Sequence, residues 1–316
     1  CTDDSSAAAT ASDSYVLTVT NTNDAPTLAT AQADASTAED ALYTLDVSGN
    51  FADVDVGDSL SYTATGMPTT MTMSTAGVLS GTPVNADVAA HTVVVTATDG
   101  TASVTDTFDV TVTNTNDAPT VASAISDVSS AEDAAYSLDV SGTCTDVDVG
   151  DSLAYTMSGA PSTLSIASGT ISGTPLNADV GAHTITVTCT DDSSAAATAS
   201  DSYVLTVTNT NDDPTVATAL SDASIDEDAA YSSDLSSNFA DVDVGDTLTY
   251  TATGLPGDLV MSTAGVISGT PVNADVGAYT IVVTATDDGA TPGVAVTDSF
   301  ELTVVNTDDP TQGSSV

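Results

Sequence analysis

The chain has 316 residues, with 45 acidic side chains, no Lys or Arg, and a formal net charge of −45 at pH 7. Nucleic acids and anionic membrane surfaces are bound through cationic side chains, so this composition argues against either partner. No run of about 18 apolar residues occurs, so we expect no membrane-inserted segment. Because 41% of the residues are apolar and alternate with Thr and Ser, the composition indicates folded acidic domains rather than disorder.

The first residues of the chain belong to an incomplete repeat. The sequence "CTDDSSAAATASDSYVLTVTNTND" at 1–24 is identical to 189–212, where it precedes a motif that recurs throughout the chain. We therefore predict that 1–26 is the last part of a preceding repeat together with its linker.

The recurring motif divides the rest of the chain into three domains. It reads "NTNDAPT" at 21–27 and 114–120, "NTNDDPT" at 209–215 and "NTDDPT" at 306–311. Its final Thr returns every 93 to 96 residues, which is the length of one domain. The predicted repeats are 27–119, 120–214 and 215–310, followed by a tail at 311–316.

Every repeat carries strand signals and no useful helical periodicity. Stretches such as "SYVLTVT", "TFDVTVT" and "HTVVVTATD" alternate apolar and polar residues with a period of two. The turn sequences "DVGD", "SGTP" and "DDG" separate them. About seven short strands in a repeat of this length is typical of an immunoglobulin-like β-sandwich.

Acidic clusters follow in a fixed order within each repeat. The order is "ED", then "DVDVGD", then "NAD", then a "TD" that ends a strand shortly before the linker. The chain has only four Glu, and three of them, Glu39, Glu132 and Glu227, occupy the "ED" position. Selection of the longer side chain at one position of an Asp-rich protein indicates a geometric demand, such as bidentate reach to an ion.

Calcium fits this ligand set better than zinc does. Ca²⁺ takes six to eight oxygen ligands from carboxylates, Asn side chains and backbone carbonyls, whereas zinc favours His and Cys. "DVDVGD" and "NTND" supply the oxygen donors without either. The alternative is that Asp and Asn are common turn formers and that the acidic surface reflects a salty habitat.

In combination, "ED … DVDVGDxLxY … GVxSGTPxNAD … VTATD … NTNDAP" resembles the cadherin repeat. It also resembles the dystroglycan-type, cadherin-like and putative-immunoglobulin relatives of that repeat in large bacterial and archaeal surface proteins. The resemblance covers all three repeats and the opening fragment. It implies an all-β chain of tandem immunoglobulin/cadherin-like β-sandwich domains in an extended rod, with Ca²⁺ held between successive domains.

Carried over position by position, the resemblance implies one ligand set for each linker. The first complete linker would use Glu39, Asn85, Asp87, Asn114, Asn116, Asp117, Asp146, Asp148 and Asp191. The second would use Glu132, Asn177, Asp179, Asn209, Asn211, Asp212, Asp241, Asp243 and Asp287. An earlier half-set is Asn21, Asn23, Asp24, Asp53, Asp55 and Asp99, and a last one is Glu227, Asn273, Asp275, Asp308 and Asp309. The linkers begin with Asn where cadherins usually have Asp.

Comparison of the repeats also predicts a disulfide. Cys144 replaces the Phe found at 51 and 239, and Cys189 replaces the Ala found at 97 and 285. A Phe–Ala contact that becomes Cys–Cys in one repeat indicates a Cys144–Cys189 bridge, with two free buried thiols as the alternative. The bridge would imply an oxidising, extracellular setting. Cys1 matches Cys189 in the repeat alignment.

Catalysis is not expected. His91 and His183 occupy one position that Tyr279 fills in the third repeat, which favours packing over catalysis or metal binding. No nucleophile–base pair emerges from the repeat comparison, and no cation is present to stabilise an oxyanion. We therefore expect a protein without enzymatic activity.

The features together favour a calcium-rigidified structural array outside the cell. It would form part of a surface fibre, a biofilm matrix filament or a giant adhesin stalk, with further copies of the same repeat as partners. A second possibility is a homopolymeric filament in which the strand region 11–20 completes a neighbouring sandwich by strand addition. A third is a ligand- or carbohydrate-binding adhesion module, against which the near-identical repeats argue.

Overall fold

The structure, a computed structural model, describes residues 1–2, 4, 6–7, 9–193, 195–243, 245–289 and 293–307. Within these ranges the regular structure consists of β-strands and five short 3₁₀ helices, with no α-helix. No helix in this part of the chain has the length and apolarity needed to cross a membrane. The 3₁₀ helices are Ser48–Asn50, Asn85–Asp87, Asn177–Asp179, Ser236–Asn238 and Asn273–Asp275.

The first repeat contains nine strands in three sheets. They are β1 Thr27–Leu28, β2 Ala35–Ala38, β3 Tyr43–Asp46, β4 Phe51–Ala52, β5 Ser61–Thr65, β6 Met71–Met73, β7 Val78–Gly81, β8 Ala90–Thr98 and β9 Ser103–Thr113. The sheet orders are β2-β9-β8-β5, β3-β7-β6 and the two-stranded β1-β4.

The second repeat has the same plan. Its strands are β10 Thr120–Val121, β11 Val128–Ala131, β12 Tyr136–Asp139, β13 Cys144–Thr145, β14 Ala154–Ser158, β15 Leu164–Ala167, β16 Thr170–Gly173, β17 Gly181–Thr190 and β18 Thr198–Thr208. The sheet orders are β11-β18-β17-β14, β12-β16-β15 and β10-β13.

The third repeat completes the series. Its strands are β19 Thr215–Val216, β20 Ala223–Asp226, β21 Tyr231–Asp234, β22 Phe239–Ala240, β23 Thr249–Thr253, β24 Leu259–Met261, β25 Val266–Gly269, β26 Gly277–Thr286 and β27 Ala295–Val305. The sheet orders are β20-β27-β26-β23, β21-β25-β24 and β19-β22.

The core of each repeat lies between its four-stranded and three-stranded sheets. The long hairpins alternate in burial along their length, so Val93, Val95 and Ala97 of β8 face inward while the intervening residues are less buried. They pack against Leu79 of β7 and Met71 of β6. The period-two pattern read from the sequence therefore places the apolar side chains on the buried face of each sheet.

In every repeat the second strand is parallel to the last strand, its neighbour in the four-stranded sheet. Residues 35–38 pair with 110–113, residues 128–131 with 205–208, and residues 223–226 with 302–305. All other strand pairs are antiparallel. After the two-residue strand that opens each repeat, the chain thus enters and leaves the four-stranded sheet through neighbouring strands that point the same way.

The chain forms two compact units. The first holds Cys1–Pro119, Asp146–Ser152 and Asp191–Ala197, and the second holds Thr120–Thr145, Leu153–Thr190 and the described chain from Thr198 onward. The all-β fold and its three immunoglobulin-like domains confirm the predicted fold class. The exact limits of the repeats, at 27–119, 120–214 and 215–310, stay a prediction, and the tail at 311–316 lies outside the described residues.

The opening segment differs from its identical copy in the second repeat. Tyr15, Leu17 and Val19 are 88%, 76% and 84% exposed, and no strand is formed over 11–20. The matching side chains of β18 (Tyr203, Leu205 and Val207) are 1%, 0% and 2% exposed. The same sequence is therefore buried only where β11 and β17 flank it.

Candidate metal centres at the linkers

Each repeat buries one glutamate against the start of the following linker. Glu39, Glu132 and Glu227 are 1%, 1% and 2% exposed. One oxygen, Oε1, accepts the N–H of Thr115, Thr210 and Thr307 respectively, at 2.8–2.9 Å. The other oxygen, Oε2, is buried without a hydrogen-bond partner among the described residues. A buried carboxylate oxygen without a donor is costly, and no Lys or Arg exists to neutralise it.

A turn directly after each glutamate sets its direction. Asp40, Asp133 and Asp228 have positive φ angles of 57°, 54° and 59°. Their N–H groups donate to the carbonyls of Pro83, Pro175 and Pro271 at 2.7–2.9 Å. Asp tolerates this left-handed conformation better than most residues. The Asp of the "ED" pair therefore forms a turn that directs the Glu side chain into its repeat.

The linker aspartates bind the "DVDVGD" loop of the following repeat through their backbone. The Asp117 N–H donates to Asp148 Oδ2 at 2.8 Å, and the Asp212 N–H donates to Asp243 Oδ2 at 2.7 Å. The same bond joins Asp24 to Asp55 at 2.7 Å. All partners of each bond lie within one compact unit. The linker therefore runs directly alongside these carboxylates.

The first Asp of each "DVDVGD" loop has one oxygen in use and one without a partner. Oδ1 of Asp53, Asp146 and Asp241 accepts the N–H two residues later, at 2.9–3.0 Å. Oδ2 of the same three residues is buried and unpaired among the described residues. Across the described portions of all three repeats, equivalent oxygens of these Asp residues therefore have no donor, and the same holds for Oε2 of the glutamates.

Carboxylates converge on these loops. One oxygen from each member lies within 4.8 Å of the others in four groups: Asp53–Asp58–Asp99, Asp146–Asp148–Asp151, Asp241–Asp243–Asp246 and Glu132–Asp133–Asp212. Partial burial, followed by repulsion from Asp192, raises the pKa of Asp151. Partial burial, followed by repulsion from Asp243, raises the pKa of Asp246. The oxygens of each group are close enough together to hold one cation, and oxygen ligands alone suit Ca²⁺.

Comparison with known proteins identifies the repeats. The family described as "Putative Ig domain" matches residues 25–113, 118–208 and 213–305, which is most of the chain. The chain belongs to this family. No curated protein sequence matches it.

Solved structures of cadherin ectodomains share the fold of these tandem Ig domains. Mouse Cadherin-23 EC22-24 is 21% identical, with a TM-score of 0.57 over 88% of this chain and 96% of that one. Protocadherin gamma B2 extracellular cadherin domains 1-5 is 15% identical, with a TM-score of 0.58 over 92% and 62%. Protocadherin gamma C5 EC1-3 is 17% identical, with a TM-score of 0.54 over 86% and 100%. At these identities the likeness concerns the fold, and it confirms the resemblance found in the sequence.

Asparagine amides face the carboxylates of the Ig-domain linkers. Asn116 donates to Asp191 Oδ2 at 3.0 Å. This hydrogen bond is the largest of the effects that lower the pKa of Asp191. The matching bonds are Asn211 to Asp287 at 3.1 Å and Asn23 to Asp99 at 3.0 Å. With its nitrogen turned inward, Asn114 donates to Glu39 Oε1 at 3.1 Å and Asp148 Oδ1 at 3.3 Å. These amide N–H groups stabilise the carboxylates by hydrogen bonding and leave the net charge of each cluster unchanged.

The Asn and the Asp of the "NAD" motif make different contacts. Asn85 donates to Asp117 Oδ2 at 2.7 Å, and Asn177 donates to Asp243 Oδ1 at 3.0 Å, so both Asn reach the linker clusters. Asp87 instead accepts four hydrogen bonds inside its own Ig domain, from Thr69 N–H and hydroxyl, Thr70 hydroxyl and Val84 N–H. Burial raises its pKa, but these bonds outweigh burial and lower it to about 2.

The other two "NAD" aspartates are also used within their domains. Asp179 accepts the Leu176 N–H and the Thr163 hydroxyl, and the backbone bond is the first cause that lowers its pKa. Asp275 accepts the N–H groups of Gly257 and Val272. These contacts give Asp87, Asp179 and Asp275 a role in fixing a 3₁₀ turn, so we leave them out of the proposed ligand set.

The remaining predicted ligands make no side-chain hydrogen bond in the described part of the chain or lie outside it. Asn21, Asn209 and Asn273 lie beside the clusters in sequence, and their side-chain amides bind no described residue. Asp308 and Asp309 lie outside the described residues. Conversely, Asp58, Asp133, Asp151 and Asp246 join clusters although they were not among the predicted ligands. Three of them, Asp58, Asp151 and Asp246, are the third Asp of "DVDVGD", so this motif in the sequence could have indicated them.

The second Ig domain contains a disulfide bond between Cys144 and Cys189, with a Cα–Cα distance of 6.5 Å. At the same place the first domain has Phe51 in edge-on contact with Tyr62, and the third has Phe239 in edge-on contact with Tyr250. His91 and His183 bind the backbone carbonyls of Asp87 and Asp179 through Nε2, at 2.7 and 2.6 Å. These contacts are consistent with a structural role for both histidines.

Proposed function

We propose that the chain is a calcium-rigidified structural repeat array outside the cell. It would serve as a segment of a surface fibre or adhesin stalk, with further copies of the repeat as its partners and without enzymatic activity. The observation that carries the proposal is the fully buried Oε2 of Glu39, Glu132 and Glu227, which has no hydrogen-bond partner in the described part of the chain. An oxygen in that position calls for a cation, and the chain itself has none to offer.

The ligands fall on both sides of each linker in the sequence. At 114–119 we propose Glu39, Asn85, Asn114, Asn116, Asp117, Asp146, Asp148 and Asp191, with Asp151 as an addition. At 209–214 we propose Glu132, Asn177, Asn211, Asp212, Asp241, Asp243 and Asp287, with Asp133 and Asp246 as additions. When bound, Ca²⁺ supplies a hard dication that accepts six to eight oxygen ligands and offsets the charge of the carboxylates. Because these residues precede and follow the linker, binding them together restricts motion about it.

An extracellular setting is supported by two features. The Cys144–Cys189 disulfide persists in oxidising compartments and is rare in reducing ones. Calcium sites of this kind also need free calcium well above the cytosolic level when their affinity is modest.

The decisive variant is Glu132→Gln, with Glu301→Gln as its control. Gln keeps the acceptor for the Thr210 N–H and removes the buried charge, whereas Glu301 is exposed and lies outside the clusters. We expect calcium affinity at the second linker to fall by about tenfold or more, the cost of losing even an outer-shell partner. Without calcium, the variant should melt at the same temperature as the wild type or higher, because an uncompensated charge has been removed.

Calorimetric calcium titration and thermal melting in calcium and in chelator measure both effects. At a free concentration 100 times Kd, one bound ion stabilises by about 2.7 kcal/mol. Small-angle scattering with and without chelator tests rigidity. Identical melting temperatures and scattering curves in the two conditions would rule the proposal out.

The exposed segment 11–20 favours a second candidate, assembly by strand addition. It presents Tyr15, Leu17 and Val19 to solvent, and its sequence already forms β18 elsewhere. Replacing β18 in another copy would gain nothing, since an identical strand would be released. The acceptor must therefore be an Ig domain with the sequence of the second repeat whose own last strand is absent or displaced. Long fibres formed from the purified chain on addition of calcium would support this candidate. A chain that stays monomeric and also fails to bind a copy lacking residues 198–208 would exclude it.

A further inference from the structure

The second and last strands of each repeat are joined by hydrogen bonds along a seam. In the second repeat, β11 is parallel to β18 with Val128 opposite Leu205 and Ala131 opposite Thr208. The pairing continues beyond the strand, because the Glu132 N–H donates to the Thr208 carbonyl at 3.0 Å. Side chains extend it at the other end, since the Val204 N–H donates to Asp127 Oδ1 at 2.7 Å.

The seam recurs in the other repeats. In the first, the Asp109 N–H donates to Asp34 Oδ1 at 2.9 Å and the Glu39 N–H donates to the Thr113 carbonyl at 3.0 Å. In the third, the Glu301 N–H donates to Asp222 Oδ1 at 2.7 Å and the Glu227 N–H donates to the Val305 carbonyl at 3.0 Å. A second aspartate bond, from Ile125 N–H to Asp201 Oδ2 at 2.6 Å, also has counterparts in both.

The direction of the strands decides how this seam responds to tension. A two-residue strand precedes the seam in each repeat, and its short antiparallel pairing is loaded first. The chain then enters the seam at the start of one strand of the pair and leaves it at the end of the other. When the two ends are pulled apart, neighbouring parallel strands slide past each other, and their hydrogen bonds, nearly perpendicular to the pull, are loaded together. An antiparallel hairpin pulled at its open end would instead lose its bonds one at a time.

We infer that each repeat is a tension-bearing domain, closed by the shear-loaded seam between its second strand and its last strand. We also infer that the disulfide of the second repeat limits how much chain that repeat releases once its seam has failed. Neither statement depends on calcium.

The position of the disulfide supports the second part. Cys144 and Cys189 both lie between β11 and β18 in the sequence, so the seam is outside the loop that the bond closes. The seam can therefore break while the bond holds, and tension then passes through the bond. The Cys pair is 45 residues apart, so about 160 Å of extended chain stays locked.

Single-molecule stretching of the full chain by its two ends tests both parts, and it is done in chelator to remove any contribution from calcium. We expect three rupture events, of which one lengthens the chain by about 160 Å less than the same repeat does after reduction. The double variant Cys144→Phe, Cys189→Ala restores the Phe–Ala pair of the other repeats and should behave like the reduced protein. The rupture force of the second repeat should stay the same throughout.

A proline pair tests the seam itself. By the two-residue period of a strand, the Ser130 N–H points to β18 as the Glu132 N–H does, whereas the Ser129 N–H points to the open edge of the sheet. Ser130→Pro should lower the rupture force of the second repeat alone, and Ser129→Pro should lower it less.

If the Ser130→Pro variant does not fold, Asp127→Ala tests the seam instead, because it removes the acceptor of the Val204 N–H. An unchanged rupture force in the folded Ser130→Pro protein, or in Asp127→Ala, would overturn the assignment of the seam. Equal lengthening with and without reductant would overturn the role of the disulfide.

Discussion

At the scale of single residues, the chain separates its buried carboxylates into two classes. Asp87 and Glu39 are each 1% exposed. Asp87 accepts four hydrogen bonds from Thr69, Thr70 and Val84, so its charge is stabilised by the domain that contains it. Oε2 of Glu39 has no donor within the ranges that the structure describes. Burial alone therefore does not indicate a ligand, whereas burial together with an unpaired oxygen does.

The bonding of Asp87 predicts an acid-sensitive contribution to stability. Because its folded-state pKa, about 2, is below the ordinary value of 3.8, the stabilisation is complete above pH 3.8 and is lost as the pH falls towards 2. Asp87→Ala leaves the Thr69 and Val84 N–H groups without their acceptor, so we expect a loss of about 2–3 kcal/mol at pH 7. Calorimetry of the full chain in chelator measures it, with Asp13→Ala as an exposed control.

The difference between Asp87→Ala and wild type should shrink steadily below pH 3.8, because the wild-type carboxyl then takes up a proton and loses its advantage. An equal difference at pH 7 and pH 2 would contradict the role assigned to these hydrogen bonds.

At the scale of elements, glycines fix how the strands approach one another. Gly159 has a φ of 77°, and a Cβ there would meet the carbonyl oxygen of Thr184 on β17. Gly66 and Gly254, with φ of 77° and 82°, stand against Thr92 and Thr280 in the same way. The turn that ends β14 and its equivalents is therefore closed by a backbone-to-backbone contact that only Gly allows.

This contact predicts the effect of a single methyl group. Gly159→Ala must adopt an unfavourable left-handed backbone, costing about 1–2 kcal/mol, and must also displace Thr184. We expect the second repeat alone to lose stability and hydrogen-exchange protection along β14 and β17. Gly142→Ala is the matched control in the same repeat, because a Cβ at that position would have no atom within 4 Å and the φ of Gly142 is not positive. Equal effects of the two substitutions would contradict the explanation.

At the scale of the whole molecule, the sequence predicts the fold better than the site. Identical copies reveal the period of the repeats, and the alternation in stretches such as 202–208 or 91–99 predicts strands because only one face of each sheet is buried. The seam between β11 and β18 was not predictable, since parallel pairing over some 77 residues leaves no local pattern. The "NAD" motif illustrates the limit for the site: its Asn reaches the linker while its Asp caps a turn, and spacing alone does not separate them.

The net charge of −45 sets the last prediction, which separates general screening from specific binding. Raising NaCl from about 0.1 to 1 M shortens the Debye length from about 10 to 3 Å, which weakens repulsion throughout the chain. In chelator we therefore expect all three repeats to melt at higher temperature in salt.

Millimolar calcium hardly changes the ionic strength, so any stabilisation beyond that of matched NaCl must come from bound ions. It should saturate, and it should be smaller with Mg²⁺, which demands a tighter octahedral shell and keeps its waters. Glu132→Gln should reduce the calcium effect and leave the NaCl effect unchanged, because the first depends on one buried oxygen and the second on the sum of exposed charges. If NaCl at matched ionic strength reproduced the whole effect of calcium, the acidic loops would be ordinary solvated turns of a salt-adapted surface.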